Sequence, residues 1–214
     1  MLDLMKKSVP QGKKLTILEL GAGRGGLSRF IAKEFQKEGL LEKIVSSNIA
    51  QKENDYNAAK SKEEGFGEDI YQVHKGSFDS LDFEPESFDL VFCNDSFLHS
   101  KDKTSLMVNI AKLIRKGGAF VFSDILENPE APREAIQAIY TRLMLDSLGT
   151  KQLYEKVLEE QGLQKVESYL DTRNMERHYG MVKYSAQVLK KEELKKVVAD
   201  EFVAKQVNGL TKWV

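Results

Sequence analysis

The sequence predicts an α/β fold, a doubly wound and mostly parallel sheet with helices on both faces. Three observations carry that prediction. Leu15-Thr-Ile-Leu-Glu-Leu20 is a short, almost continuously apolar run that stops at glycines, the pattern of a strand buried on both faces. From Gly26 to Glu38 the period changes: Leu27, Phe30, Ile31 and Phe35 fall at helical spacing, with Arg29, Lys33, Glu34 and Lys37 opposite. The same alternation then repeats, so that five or six strands are interleaved with helices.

Taken in order, Lys43-Ile-Val-Ser-Ser47 reads as the second strand, Gln51 to Glu64 as a polar helix and Ile70 to His74 as the third strand. Phe88-Asp-Leu-Val-Phe-Cys93 is the fourth, and Asp102 to Arg115 is a helix with Leu106, Ile110 and Leu113 inward. Lys116-Gly117-Gly118 turns the chain into a fifth strand, Ala119 to Ser123. Helices follow at 132–147 and 150–161, then a strand from Leu163 to Leu170, then a helical, Lys-rich tail from Met175 to Lys205. No linker divides the chain, so a single domain over 1–214 is expected, with 125–150 and 172–206 as helical cover elements. In this topology a ligand sits over the carboxyl ends of the strands, at the switch point beside the first strand.

Composition narrows the function. The chain has 214 residues, 41% hydrophobic and 30% charged, and 32 Lys plus Arg nearly cancel 33 Asp plus Glu to leave a net charge of -1. That balance argues against a general nucleic-acid binder or a polybasic membrane-surface protein. One cysteine, Cys93, cannot form an internal disulfide, and inside an apolar strand it reads as a buried core thiol. No apolar stretch has the length of a signal peptide or of a membrane span. The expectation is a reduced, cytoplasmic protein that acts on a small molecule; monomer and dimer both stay open. No Cys/His cluster has metal-ligand spacing, and no nucleophile elbow or P-loop occurs.

The most informative stretch is Glu19-Leu-Gly-Ala-Gly-Arg-Gly-Gly26. Glycines at Gly21, Gly23 and Gly25 let the backbone approach a ligand closely, and the helix behind them offers free N–H donors. Gly21, Gly23 and Gly26 also satisfy the spacing of dinucleotide enzymes. Glu19 separates the two readings: an acid facing the ligand from the strand's carboxyl end suits the ammonium and sulfonium of S-adenosylmethionine and repels a pyrophosphate. At the end of the second strand Asn48 is placed either to accept from a ribose hydroxyl or to cap the next helix. Ser77 and Phe78, after the third strand, either bracket an adenine or pack into the core.

These residues resemble a known family. Glu19-Leu-Gly-Ala-Gly-Arg-Gly25, the Phe88-Asp-Leu-Val-Phe92 strand, Phe97-Leu-His99 and the run from Arg115 to Asp124 are similar to class I S-adenosylmethionine-dependent methyltransferases. Asn48-Ile-Ala50, Gly76-Ser-Phe78, the Asp95-to-Lys103 stretch and His178-Tyr179 resemble the sarcosine/dimethylglycine N-methyltransferases that make glycine betaine, and more distantly the phosphoethanolamine methyltransferases. The resemblance runs from about residue 15 to the C-terminus. It implies a Rossmann-like sheet; the family usually adds a final antiparallel strand where this sequence stops at Trp213-Val214, so a fragment and a shortened member both stay open. It also implies S-adenosyl-L-methionine as cofactor and S-adenosyl-L-homocysteine as product. Carried over by position, Glu19, Gly21, Ala22 and Gly23 hold the methionine part of the cofactor, Asn48 the ribose, Ser77 and Phe78 the adenine, and Asn94 with Asp95 borders the transferable methyl. In the phosphoethanolamine relatives the histidine at the position of His99 works with a tyrosine from an N-terminal segment. Here about fourteen residues precede the first strand, where the family carries a longer lid with aromatics.

Methyl transfer from a sulfonium needs an in-line approach and an unprotonated nucleophile. His99 either takes the substrate's proton or relays it to water, or else is a helix-start histidine bonded to backbone. Asp95, four residues earlier, either orients His99 or attracts a substrate ammonium. For an amino-acid substrate a cation must hold the carboxylate: Arg142 on the 132–147 helix offers a bidentate fork, if it is not a solvated helix-face residue. Arg177, His178 and Tyr179 form a second polar-aromatic cluster, and Asp124 faces the crevice at the end of the fifth strand. Sarcosine, dimethylglycine, glycine, phosphoethanolamine and a sulfur-containing amino acid all fit such a pocket; the alternatives are a nicotinamide-dependent dehydrogenase, resting on the glycine spacing alone, and a cofactor-binding module without catalysis.

Overall fold

A computed structural model describes residues 1–194, 196, 199, 201, 203 and 204, apart from the side chains of residues 135, 138 and 142. The chain divides into two compact units, Met1–Val166 and Glu167–Val214, where a single domain is expected from the sequence. Each is described by itself.

The first unit opens with α1 (Leu2–Ser8), β1 (Leu15–Leu20), α2 (Gly26–Lys37), β2 (Leu41–Asn48), α3 (Gln51–Glu63) and β3 (Tyr71–Lys75). It continues through β4 (Phe88–Asn94), a single 3-10 turn Phe97–His99, α4 (Lys103–Leu113), β5 (Ile114–Ser123), α5 (Arg133–Leu143) and α6 (Lys151–Glu160). The five strands form one parallel sheet in the order β3-β2-β1-β4-β5. The chain runs outward in one direction from β1 to β3 and in the other from β4 to β5, so the switch point lies at β1, as expected.

Strand parity sorts the core into two layers. Leu15, Ile17, Ile44, Leu90 and Phe92 face α1 and α2 with Met5, Ile31 and Phe35, whereas Leu18, Leu20, Val45, Val91 and Cys93 face Leu106, Met107, Ile110, Tyr154 and Val157 of α4 and α6. Burial of the Cys93 thiol pushes its pKa well up, which keeps it an inert core group.

Three expectations are corrected. No turn precedes β5: the strand begins at Ile114 directly after α4, and the Lys116-Gly117-Gly118 segment becomes a bulge between the Phe88–Ile114 and Leu90–Ala119 pairs. A Cβ on Gly118 would lie 2.8 Å from the Asp89 carbonyl oxygen, so only glycine lets the bulged backbone pass that close. Leu163 to Leu170 is not a strand: it joins no described strand ladder, and Val166, Tyr169 and Leu170 are exposed. On α2 the apolar stripe is narrower than its spacing suggests. Phe30 is 49% exposed, while Arg29, assigned to the solvent side, is buried because its guanidinium reaches Arg24 O at 2.7 Å, Asn57 Oδ1 at 2.7 Å and Glu64 Oε1 at 2.9 Å.

The second unit contains α7 (Thr172–Tyr184), capped by the Asp171 side chain on Asn174 N, a π-helical turn Ser185–Leu189 and α8 (Lys191–Leu194). No helix among the described residues is long and apolar enough to cross a membrane.

Candidate functional site

The carboxyl ends of β1, β2, β3 and β4 converge on the loop after β1. Gly21, Gly23 and Gly25 all have positive φ, at 71°, 53° and 69°. Two bonds hold the loop between its neighbours. Ala22 N donates to Ser47 O of β2 at 3.0 Å, and on the other side the Ser96 hydroxyl lies 3.1 Å from Gly21 O, beyond β4. A Cβ on Gly21 would come within 2.5 Å of Ser96 Cβ and 3.7 Å of the Phe78 ring. Glycine is what lets the β1 and β4 loops touch, and Phe78 stands at that same contact. Helix α2 starts at the end of this loop with Gly25, which makes no side-chain cap; the Ser28 amide is bonded to Glu19, and the first N–H groups of the helix point toward the loop.

Glu19 does not face the crevice. It shares its face of β1 with Leu15 and Ile17, which places its carboxylate beneath α2, where the Ser28 hydroxyl donates to it. Burial pushes its pKa up to about 7, against the opposing pull of the Ser28 hydrogen bonds and the Arg29 charge. A polar network continues from there: Ser28 Oγ to Ser46 Oγ at 2.8 Å, Asn57 Nδ2 to Ser46 Oγ at 2.8 Å, and Tyr71 OH to Asn57 Oδ1 at 2.9 Å. This explains why α3 has no apolar stripe; it docks through Asn54, Asn57 and Ser61.

The raised pKa has a measurable consequence. The unfolded chain ionises Glu19 near 4.5 and the folded chain near 7, so stability falls as pH rises through that window and the loss is complete above it. Denaturant titrations of Glu19→Gln are therefore expected to show a stability gain over the parent that is absent below about pH 4.5 and grows to the order of 3 kcal/mol above about pH 7. A constant offset across that range would contradict a buried, protonated Glu19.

At the end of β2, Asn48 Nδ2 donates to Glu53 Oε2 at 3.0 Å, and a Cβ on Gly23 would lie 3.9 Å from the same oxygen. A carboxylate thus stands beside the strand end after all, delivered from the first turn of α3. Sequence reading missed it because it sought the acid on the strand. Ile49, 66% exposed next to Asn48, adds an apolar surface at the same rim. The only readable signal was an apolar side chain where β2 leaves the sheet. Beside them, Gly76 N donates to Asn48 O, Ser77 Oγ accepts from Asp79 N at 3.2 Å, and the Phe78 ring meets Phe97 edge-on at 5.8 Å.

Beyond β4, Asn94, Asp95 and His99 are exposed on the other flank of the glycine loop. Asp95 adopts φ 49°, with its N–H donating to Ser123 O at 3.0 Å and its Oδ1 lying 2.8 Å from Ser123 Oγ, while Asn94 Oδ1 lies 3.1 Å from that hydroxyl. Among the described residues the His99 ring makes no hydrogen bond, and Asp95 does not orient it. Asp124 is not open to the crevice either. Leu98 N donates to Oδ1 at 2.9 Å and Tyr154 OH to Oδ2 at 2.6 Å, and burial pushes its pKa up to about 6.

The structure therefore gathers Gly21, Ala22, Gly23, Gly25, Asn48, Ser77, Phe78, Asn94, Asp95 and His99 around one rim, with Glu19 and Asp124 beneath it. Arg142 belongs to α5, but its side chain lies outside the described residues. His178 and Tyr179 sit on α7 in the second unit, with ring centroids 5.2 Å apart. No cluster of His, Cys, Asp and Glu among the described residues is placed to hold a metal ion.

Comparison with known proteins gives a consistent picture. Residues 18–122 match the model of a methyltransferase domain family. The sarcosine/dimethylglycine N-methyltransferase of Halorhodospira halochloris is 31% identical over 198 residues, which is 92% of this chain and 68% of that protein. A Galdieria sulphuraria protein provisionally named a sarcosine dimethylglycine methyltransferase superposes with a TM-score of 0.87 at 27% identity, over 99% of this chain and 76% of its own. Haemonchus contortus phosphoethanolamine N-methyltransferase 2, solved with S-adenosyl-L-methionine, shares the fold with a TM-score of 0.77 at 18% identity, over 99% of this chain and 46% of its own.

Proposed function

We propose, because this chain belongs to the family of sarcosine/dimethylglycine N-methyltransferases, that it moves a methyl group from S-adenosylmethionine to the amine nitrogen of sarcosine or dimethylglycine. The observation that carries this reading is the Ser96–Gly21 contact, which ties the segment between the exposed Asp95 and His99 to the glycine loop.

The residues present fit the cofactor. The glycine loop lets a ligand approach the backbone closely, and Asn48 with Glu53 offers acceptors to ribose hydroxyls, while Glu19 stays beneath α2 bonded to Ser28. Ile49 and Phe78 provide apolar surface for the adenine, with Ser77 at its edge. Glu53 takes the part expected of an acid at the end of the second strand; a charged acceptor contributes about 1.5–3 kcal/mol, against about 0.5–1.5 for the Asn48 amide alone. When bound, S-adenosylmethionine supplies a methyl group on positive sulfur, which departs as a neutral thioether.

The protein's own residues then act on the substrate. Sarcosine and dimethylglycine are ammonium ions near neutral pH, and an amine about two pH units below its pKa must surrender about 2.7 kcal/mol to present its lone pair. Asp95 draws the ammonium in, and a neutral His99 accepts its proton and passes it to water. For dimethylglycine this must precede transfer, because the quaternary product has no proton left to lose. Arg142 is the proposed partner of the substrate carboxylate, and the rim itself holds nitrogen and methyl in line. The protein acts in the cytoplasm on small molecules.

The decisive assay offers labelled methyl groups to sarcosine, dimethylglycine, phosphoethanolamine and a sulfur-containing amino acid, alongside calorimetry with S-adenosylmethionine. Transfer to the first two is expected, with the label on nitrogen. Label on phosphoethanolamine or sulfur alone would reassign the acceptor, and binding without transfer would make the protein a cofactor-binding module.

A further inference from the structure

The turn that carries His99 is fastened at nearly every backbone group around it, while among the described residues the imidazole makes no hydrogen bond. Leu98 N–H is bonded to Asp124 Oδ1 at 2.9 Å. Lys103 Nζ donates to Leu98 O at 3.4 Å and to Ser100 O at 2.8 Å, and reaches Ser147 O at 2.9 Å in the segment before α6. The Ser100 hydroxyl donates to Asp79 Oδ1. Phe97 is buried against Phe78, Phe120 and Phe122.

The groups doing this are expensive to place. Asp124 is held largely out of water, and so is the head of Lys103, whose pKa burial lowers. Their mutual attraction, and the hydrogen bonds to Asp124, offset only part of that cost. The second oxygen of Asp124 is claimed by Tyr154 OH at 2.6 Å, and a neighbouring residue is cut down to allow it: a Cβ on Gly149 would lie 2.3 Å from the Tyr154 hydroxyl. Each Asp124 oxygen accepts a bond from the protein, one from the backbone of the Phe97–Ser100 turn and one from α6, so the carboxylate joins these two segments.

We propose that Asp124, supported by Lys103 and Tyr154, is a positioning residue that sets the backbone of the Phe97–Ser100 turn so that His99 meets the substrate nitrogen. This rests on the reading of His99 as the proton acceptor. It acts through the Leu98 amide and touches neither cofactor nor substrate.

The experiment compares Asp124→Ala, Asp124→Asn and Tyr154→Phe in the full chain. A misplacement of about 1 Å can cost about 100-fold in rate, so Asp124→Ala is expected to lose about 100-fold in kcat, with KM for S-adenosylmethionine and calorimetric affinity for S-adenosylhomocysteine unchanged. Asp124→Asn keeps an acceptor for Leu98 N–H and is expected to recover to within about tenfold of the parent. Full activity in Asp124→Ala overturns the proposal, and so does an Asn variant as slow as Ala, because charge at the chemistry would then be what matters. Should Asp124→Ala fail to fold, Tyr154→Phe carries the test: about a tenfold fall in kcat at unchanged cofactor affinity is expected, and an unchanged kcat overturns the proposal. A parent protein inert toward every amine sinks the methyl-transfer reading instead. The tie itself is then read from the Leu98 amide in nitrogen-15 spectra at one pH, where its signal is expected to move in Asp124→Ala, which removes the acceptor; a Leu98 signal at the same position as in the parent overturns it.

Discussion

Gly21→Ala is expected to reduce affinity for S-adenosylmethionine by at least about 100-fold, which corresponds to about 2.7 kcal/mol. Two separate costs combine. The backbone at φ 71° is strained for any residue with a Cβ, at about 1–2 kcal/mol. The new Cβ would also lie 2.5 Å from Ser96 Cβ, an atom next to the backbone that cannot swing aside. Relief requires the β1 and β4 loops to part, which breaks the Ser96–Gly21 bond and displaces Asp95 and His99 from the glycine loop. Gly12→Ala separates the two costs, because Gly12 has φ 79° and nothing within 4 Å of its would-be Cβ. That variant is expected to lose stability by the strain alone and to bind cofactor normally. Calorimetry with S-adenosylhomocysteine on both variants checks the claim; near-normal binding by Gly21→Ala would show that the loop contact does not shape the site.

Much of this arrangement was legible in the sequence, for definable reasons. Continuous apolar runs and 3.6-residue periods depend on burial in and against a sheet, so β1, β4 and α2 could be read almost to the residue, while β2 starts two residues earlier than expected and α4 ends at Leu113, where Ile114 and Arg115 already belong to β5. The glycine loop was legible because positive φ restricts the residue choice so strongly. What escaped depended on partners distant in sequence. Leu163 to Leu170 has the length and the Val, Tyr and Leu content of a strand, but a strand needs a neighbour, and no local pattern reports whether one exists. Glu19 was placed in the crevice by its position at a strand end; its parity with Ile17, equally visible in the sequence, sends it under α2. Glu53 and Asp124 were obscured for a related reason. A carboxylate's role is set by which groups donate to it, and Asn48, Leu98 and Tyr154 meet these acids only in the folded chain.

The polar layer beneath the glycine loop shows what such distant partners accomplish. Apolar side chains between α2, α3 and β2 would pack as well, but they would not fix the loop. Arg29 bonds the Arg24 carbonyl, Asn57 fills the space in which a Cβ on Gly25 would sit 1.9 Å from Asn57 Oδ1, and Ser28 and Ser46 join both to Glu19. A satisfied buried network specifies one arrangement where hydrophobic packing tolerates several. The cofactor loop is thus held from below by hydrogen bonds and from the side by Ser96, before any ligand arrives.

His99→Ala is expected to lower kcat with dimethylglycine by about 10²–10⁴-fold, the usual range for a lost general base. Binding of S-adenosylhomocysteine is expected to be unaffected, because the imidazole makes no hydrogen bond within the described protein and its removal leaves the ties of the Phe97–Ser100 turn in place. The pH dependence separates proton transfer from mere contact. As pH rises toward the pKa of the substrate amine, a growing fraction arrives already deprotonated and needs no base, so the deficit of the variant should shrink. A deficit that stays constant across that range would mean His99 orients the substrate without taking its proton. A deficit that is absent throughout would leave solvent water as the base and the rim of the glycine loop as the source of the rate, through alignment alone.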